Sequence, residues 1–165
     1  MPTVEELVAL DQITLREHTE LAGDVLDPKQ QFERLQSLLP SSKCCTVRRN
    51  GTLVAYTMMH QENKQCWFVT AFNIHPKQRN SSVLQELFTK FATLCQLAGV
   101  ENLKSHVYKT NTLSMSFHRR LGFKVTKENS KGVEFFATLE DILQSRAIVR
   151  SVKKFDASPA QTVDG

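Results

Sequence analysis

The sequence predicts an α/β protein of the α+β kind, with a mixed central sheet of about six to seven strands flanked by helices. Its 165 residues, 41% hydrophobic and 23% charged, fit one globular domain. Residues 66–127 follow the order strand, helix, strand, helix, strand, which is typical of crossovers in a partly parallel sheet. We assign residues 1–150 to one domain, with a helical segment at 1–40 and a core at 44–139, and expect 151–165 to form a disordered tail.

The first quarter of the chain is predicted to form two helices. Thr3 and Glu6 fit a capping box at the start of the first helix. Asp27 followed by Pro28 is typical of the N-cap and first position of the second. Residues 12–16 alternate polar and apolar side chains, so a short strand there is an alternative to continuous helix.

Beyond the second helix the apolar residues alternate, which predicts strands. Asn50-Gly51 is the pair favoured in type I′ hairpins, so we expect antiparallel strands at about 44–49 and 52–60. The next strand, at 66–74, is dense in aromatic and β-branched residues. We expect this strand to be central and largely buried.

The second half of the chain alternates helical and strand patterns. A wide apolar stripe predicts a helix of about 17 residues from Ser82, stopped by Gly99. The later predicted elements are a strand at 102–108, a helix at 112–121, a strand at 123–127, its hairpin partner at 133–139 and a helical pattern over 140–154.

Several classes of protein are excluded by composition. No apolar run approaches the roughly 20 residues that span a bilayer, and the N-terminus lacks the features of a signal peptide. We therefore expect a cytoplasmic protein without a membrane partner. The four cysteines have no zinc-ligand spacing and no paired histidines, so we expect reduced thiols and no metal.

The segment 111–123 carries the most specific motif in the chain. Ser114 and His118 lie one helical turn apart on one face, and Gly122 is the expected C-cap of that helix. The segment resembles the N-x-x-(A/S)-x-x-(F/L)-(Y/H)-x-x-L-G-F signature of the GNAT N-acetyltransferase superfamily. The matching residues are Asn111, Ser114, Phe117, His118, Leu121, Gly122 and Phe123.

Residues 74–84 resemble, more weakly, the loop with which this family binds the pyrophosphate of acyl-CoA. The family's glycines let backbone N–H groups approach phosphate at a helix N-terminus. Here the three glycine positions hold Asn80, Ser82 and Leu84. The positions that match are Ile74, Pro76, Arg79 and Val83.

The resemblance implies a GNAT fold, with residues 1–40 on the acceptor side, and an N-acetyltransferase that uses acetyl-CoA as co-substrate. An amine of unknown identity, on a small molecule or a protein, would attack the thioester directly in a ternary complex. Two alternatives stay open. One is a degenerate domain that acts as a binding or regulatory module, and the other is a transferase that uses a longer acyl-CoA.

The family pattern also implies site residues in this chain. His118 would protonate the departing CoA thiolate. The family's carboxylate near Thr70 or Ala71 is missing, so His106 is our first candidate for the general base. Further candidates for the base are His60, Glu62, His75 and Glu134. The expected CoA-binding residues are Phe72, Asn73, Ile74, Arg79, Asn80, Ser81, Ser82, Val83, Leu84, Asn111 and His118.

Charge is distributed unevenly along the chain. Residues 1–40 carry three basic and eight acidic side chains, whereas the remainder carries 18 basic and nine acidic ones. On the implied function the acidic segment would face a cationic amine, and the basic remainder would hold the phosphates of CoA. The acidic residues expected to face the amine are Glu5, Glu6, Glu17, Glu20 and Asp24. The alternative is that the acidic side chains lie on solvated helix faces and bind no substrate. The chain has no nucleic-acid-binding motif, so we expect no nucleic-acid partner, and a monomer or a homodimer.

Overall fold

The structure is a computed structural model and describes residues 1–145. Within this range the strands form one six-stranded sheet in the order β1-β2-β3-β4-β6-β5, and only β3 and β4 pair in parallel. The helices are α1 (Val4–Leu21), α2 (Pro28–Leu38), α3 (Ser81–Leu97), α4 (Thr112–Arg120) and α5 (Leu139–Gln144). The strands are β1 (Ser42–Arg49), β2 (Thr52–Gln61), β3 (Cys66–Ile74), β4 (Asn102–Tyr108), β5 (Lys124–Glu128) and β6 (Gly132–Thr138).

The N-terminal helices begin where the sequence predicts. The side chain of Thr3 caps Glu6 and the Glu6 side chain caps Thr3 in return, while Asp27 caps α2. Residues 12–16 belong to α1, so the alternative of a short strand is wrong. The reason is the buried stripe of α1, which has a helical period. Its buried residues are Leu7, Leu10, Asp11, Thr14 and Thr19.

The β1–β2 hairpin confirms the prediction drawn from its turn. Asn50 has φ of 50° and Gly51 has φ of 78°, the left-handed conformation that both central residues of a type I′ turn require. The two strands then pair from Arg49 with Thr52 to Ser42 with His60.

Helices pack on both faces of the sheet because successive strand residues point to opposite sides. On one face, Tyr56 and Met58 of β2 pack with α1 and α2. On the other, Ala55 packs with Val83 and Leu87 of α3. A second cluster on that face joins α3 to β4, β6 and α5.

Strands β3 and β4 pair over only part of their length. Their pairing runs from Cys66 with Asn102 to Val69 with Ser105, although β3 continues to Ile74 and β4 to Tyr108. The next residue of β3, Thr70, is an extra residue in a β-bulge, because Ala71 pairs with Met58 and Val69 with Met59. A bulge bends and twists its strand, so the two strands separate beyond this point. We call the resulting gap the β3–β4 fork.

The fork also corrects the prediction that β3 is largely buried. The strand is central in the sheet, but beyond Val69 only Asn73 is buried, because the neighbouring strand has moved away. The expected tail at 151–165, and residues 146–154 of the helical pattern, lie outside the described residues. None of the helices in residues 1–145 has both the length and the apolar character that a membrane span requires.

Candidate active site

A cavity of about 1310 Å³ opens in the β3–β4 fork. One side is formed by the second half of β3, the end of β4 and the first turns of α3 and α4. The opposite side is formed by α1, α2 and the loop between β5 and β6. The volume exceeds that of a pocket for a small metabolite alone, so the cavity has room for two substrates.

Most of the predicted CoA-binding residues line this cavity, and two do not. The Val83 side chain is fully buried in the core beside Leu87. Ser82 is exposed outside the cavity, where its hydroxyl accepts a hydrogen bond from Arg49 at 3.1 Å. The residues that line the cavity are Phe72, Asn73, Ile74, Arg79, Asn80, Ser81, Leu84, Asn111 and His118.

The loop before α3 has no glycine because its backbone needs none. Asn80 has φ of −115°, and the only non-glycine residue with positive φ among residues 1–145 is Asn50. The side-chain oxygen of Asn80 instead caps the N–H of Val83 at 3.0 Å. One donor of the first helical turn is therefore already used, which leaves the N–H groups of Ser81 and Ser82 ahead of it for an anion.

His118 is a buried imidazole with a partner at each nitrogen. It is 7% exposed and stacks on Phe135 with 4.8 Å between ring centroids. Nδ1 lies 2.8 Å from the carbonyl oxygen of Ser114, and Nε2 lies 3.1 Å from Oγ of Ser105. A carbonyl can only accept, so Nδ1 carries a hydrogen. Burial lowers the pKa of His118, which favours the neutral ring over the imidazolium of a direct proton donor.

His106 and Glu134 form a second pair inside the cavity. They face each other across the β4–β6 register, with Nε2 of His106 3.0 Å from Oε2 of Glu134. The other carboxylate oxygen accepts a hydrogen bond from Thr126 at 3.0 Å. These hydrogen bonds, His106 first, lower the pKa of Glu134. An ionised carboxylate thus orients an accessible imidazole, the usual arrangement of a general base and its positioning group.

The remaining candidates for the base lie outside the cavity lining. His60 contacts the hydroxyl of Thr70 at 3.2 Å, and His75 accepts the N–H of Lys77 at 3.1 Å. Glu62 forms an ion pair at 3.1 Å with a lysine of β4. Among the five candidates, the structure therefore brings only His106 and Glu134 together.

The acidic helices contribute little charge to the cavity. Of the five acidic residues expected to face the amine, Asp24 alone lines it. Asp24 accepts hydrogen bonds from Tyr108 at 2.7 Å and Lys131 at 2.6 Å, which ties the α1–α2 connection to the end of β4 and to the β5–β6 loop. Glu6 and Glu20 pair elsewhere with arginines, and the other two are Glu5 and Glu17.

A buried carboxylate on α1 was not predicted from the sequence. Asp11 is 1% exposed and accepts hydrogen bonds from Tyr56 at 2.6 Å, Asn73 at 2.7 Å and Gln31 at 2.7 Å. Burial raises the pKa of Asp11 against the opposing effect of these bonds. The signal in the sequence was its position four residues after Leu7, on the apolar stripe of α1.

Comparison with known proteins identifies the family. The model of the acetyltransferase (GNAT) family matches residues 7–123, more than half of the chain. The chain belongs to this family. Its mixed sheet flanked by helices is the GNAT fold, and the prediction from the 111–123 motif is confirmed. No curated protein matches the chain by sequence.

Solved structures show the same fold at low identity. An acetyltransferase from Thermus thermophilus is 16% identical, with a TM-score of 0.64 over 82% of this chain and 90% of that chain. The PaiA N-acetyltransferase from Thermoplasma acidophilum, in complex with coenzyme A, is 13% identical, with a TM-score of 0.66 over 82% and 92%. An aminoglycoside 6'-N-acetyltransferase complexed with coenzyme A is 13% identical, with a TM-score of 0.63 over 82% and 90%.

Proposed function

We propose that this GNAT protein transfers the acetyl group of acetyl-CoA to an amine by direct attack in a ternary complex. The observation that carries the proposal is the β3–β4 fork, whose facing strand edges have no pairing strand among residues 1–145 and open into the cavity. Such edges have backbone donors and acceptors available for an extended, amide-containing chain like that of CoA. The coenzyme A present in two related structures supports the choice of donor.

The donor half of the site would bind by backbone and cationic groups. The backbone around Phe72, Asn73 and Ile74 would pair with the donor and polarise its carbonyl. Arg79 and Arg120 line the cavity and are suited to phosphate, because a guanidinium donates two parallel hydrogen bonds. The uncapped N–H groups at the start of α3 would add to this binding.

The acceptor half would supply the base. His106, oriented by Glu134, would remove a proton from the substrate ammonium and so make the nitrogen nucleophilic. The amine attacks the thioester carbon, the C–N bond forms, and the C–S bond breaks. Holding both reactants in one cavity supplies much of the acceleration, because no second encounter is needed. Acetyl transfer to an amine by this protein therefore needs no covalent enzyme intermediate.

A second candidate is a GNAT domain that binds acyl-CoA without catalysis. Two observations favour it. The side chain of Asn80 caps a helix N–H that the family's loop would leave free to bind phosphate. The chain also lacks the family's carboxylate at the position of Thr70 or Ala71. A regulatory module of this kind would still use the fork, but the His106–Glu134 pair would have no chemical role.

The test is CoA release, followed by thiol detection, with acetyl-CoA and longer acyl-CoA donors across a panel of amines. We expect turnover with acetyl-CoA and at least one amine. His106→Gln should lower kcat by about 10²-fold or more, as loss of a general base does. His60→Gln, a histidine outside the cavity, is the matched control and should retain activity. Binding of acetyl-CoA without turnover of any amine would support the module instead.

A further inference from the structure

We propose that Ser105 is a further catalytic residue of this site, whose hydroxyl carries a proton between the reacting atoms and the buried imidazole of His118. The proposal rests on the proposed acetyl transfer. It assigns a role to a serine outside the family motif, and it explains how a histidine with no free nitrogen could still take part in the reaction.

Ser105 lies at the apex of the β3–β4 fork. It is the last residue of β4 that pairs with β3, opposite Val69, and the strands separate immediately beyond it. Although only 5% exposed, Ser105 lines the cavity. A substrate chain that follows the fork inward must end at this residue.

The hydrogen-bond directions around His118 are fixed by its backbone partner. Because Nδ1–H donates to the carbonyl of Ser114 at 2.8 Å, Nε2 of the neutral ring is an acceptor. The Ser105 hydroxyl, 3.1 Å away, therefore donates to Nε2. Its own lone pairs are then available to a donor in the cavity.

Among residues 1–145, Nε2 of His118 has Ser105 as its hydrogen-bond partner, whereas Ser114 occupies Nδ1 through its carbonyl at 2.8 Å and its hydroxyl at 3.2 Å. Phe135 stacks on its face at an interplanar angle of 12°, and Phe123 approaches edge-on with 5.0 Å between centroids. Both nitrogens are already bonded. Any proton that reaches or leaves Nε2 must therefore pass through Oγ of Ser105.

The proton steps balance without another reactant. After the amine attacks, its nitrogen carries a positive charge and a proton that must leave. That proton moves to Oγ of Ser105 while the Ser105 proton moves to Nε2 of His118. When the C–S bond breaks, Nε2 returns a proton to Ser105, and Ser105 passes its own to the departing sulfur. The products are the amide and the CoA thiol, and both residues regain their initial state.

The buried position of His118 is suited to holding the transferred proton only briefly. An apolar surrounding disfavours the imidazolium, so the proton is released again as soon as the thiolate forms. The lowered pKa of His118 is consistent with this behaviour. His106 removes the first proton of the ammonium, so the two histidines serve different steps.

The kinetic test compares Ser105→Ala with Ser105→Thr, which keeps a hydroxyl. Ser105→Ala should lower kcat by about 10²-fold, with the KM for acetyl-CoA nearly unchanged, and threonine should recover most of the loss. Ser116→Ala, an exposed serine of α4 outside the cavity, is the control. Wild-type kcat in a folded Ser105→Ala variant would overturn the role of Ser105 and leave the proposed function intact.

A second test does not depend on turnover. We propose to record the ¹⁵N NMR signals of the His118 ring with CoA and with desulfo-CoA, which lacks the sulfur. The Nε2 signal should respond to CoA only, and Ser105→Ala should abolish the response. Equal responses to both ligands would overturn the Ser105 proposal alone. Failure of CoA and acetyl-CoA to bind at all would overturn it together with the proposed function.

Discussion

Asp11 connects four elements, so its removal should have a large effect on stability. Its carboxylate is the shared acceptor of Tyr56 from β2, Asn73 from β3 and Gln31 from α2. Asp11→Ala removes that acceptor and leaves three donors without a partner. All three donor residues are buried, so water reaches them poorly.

The magnitude follows from the burial of each donor. Tyr56 is 0% exposed, and an unpaired buried hydroxyl costs about 2 kcal/mol. Asn73 and Gln31 are 7% and 8% exposed at the cavity wall, where partial hydration limits the loss to about 1 kcal/mol each. Alanine has a higher helix propensity than aspartate, which offsets about 0.5 kcal/mol of this loss. The free energy of unfolding should therefore fall by about 3.5 kcal/mol, and Tm by about 7–14 °C.

Urea and thermal unfolding followed by circular dichroism would measure this loss. Glu17→Ala is the matched control, because Glu17 is an exposed acidic residue of the same helix. It should change the free energy of unfolding by less than about 0.5 kcal/mol. A loss below about 1 kcal/mol for Asp11→Ala would refute the view that this cluster holds α1 and α2 against the sheet.

Three further predictions concern a surface ion pair, a glycine and the helix cap. Hydrogen bonds from Arg48 lower the pKa of Glu6 to about 2, so its stabilising effect is complete above pH 4.5 and is lost as the pH falls towards 2. The Tm difference between wild type and Glu6→Gln should therefore shrink below pH 4.5 and vanish below about pH 2. Gly132→Ala would place a Cβ 2.9 Å from the carbonyl oxygen of Val107, so denaturant unfolding should show a loss of about 1–3 kcal/mol. Asn80→Gly removes the cap from the N–H of Val83 and so frees that group for phosphate. Calorimetry should then show tighter binding of CoA but unchanged binding of its dephosphorylated pantetheine fragment. Equal changes in the two affinities would argue against a phosphate site at the start of α3.

Local features of the fold were predictable because they depend on residues that are close together in the sequence. Asn50-Gly51 determines its hairpin through two left-handed residues, and the 111–123 segment carries its own N-cap, Asn111, and a stop at Gly122. The fork depends instead on how strands far apart in sequence align. The bulge at Thr70 is visible only in the register of β3 against β2, which no local pattern encodes.

The candidate site was likewise predictable only in part: motif positions could be placed, but contacts between distant strands could not. Position in a family motif placed His118 in the cavity, but not the burial that lowers its pKa, which depends on packing against side chains such as Phe135. His106 and Glu134 are adjacent only because β6 inserts between β4 and β5. Asp11 was hidden because an acidic residue in a helix is usually solvated.

The central claim is that the β3–β4 fork binds acyl-CoA along its unpaired edges. Amide hydrogen exchange with and without acetyl-CoA tests it directly, because pairing with the ligand must protect backbone N–H groups of the fork. We predict slower exchange in residues 70–74 and at the start of α3, with little change in the β1–β2 hairpin. Binding of acetyl-CoA without added protection in residues 70–74 would contradict the account.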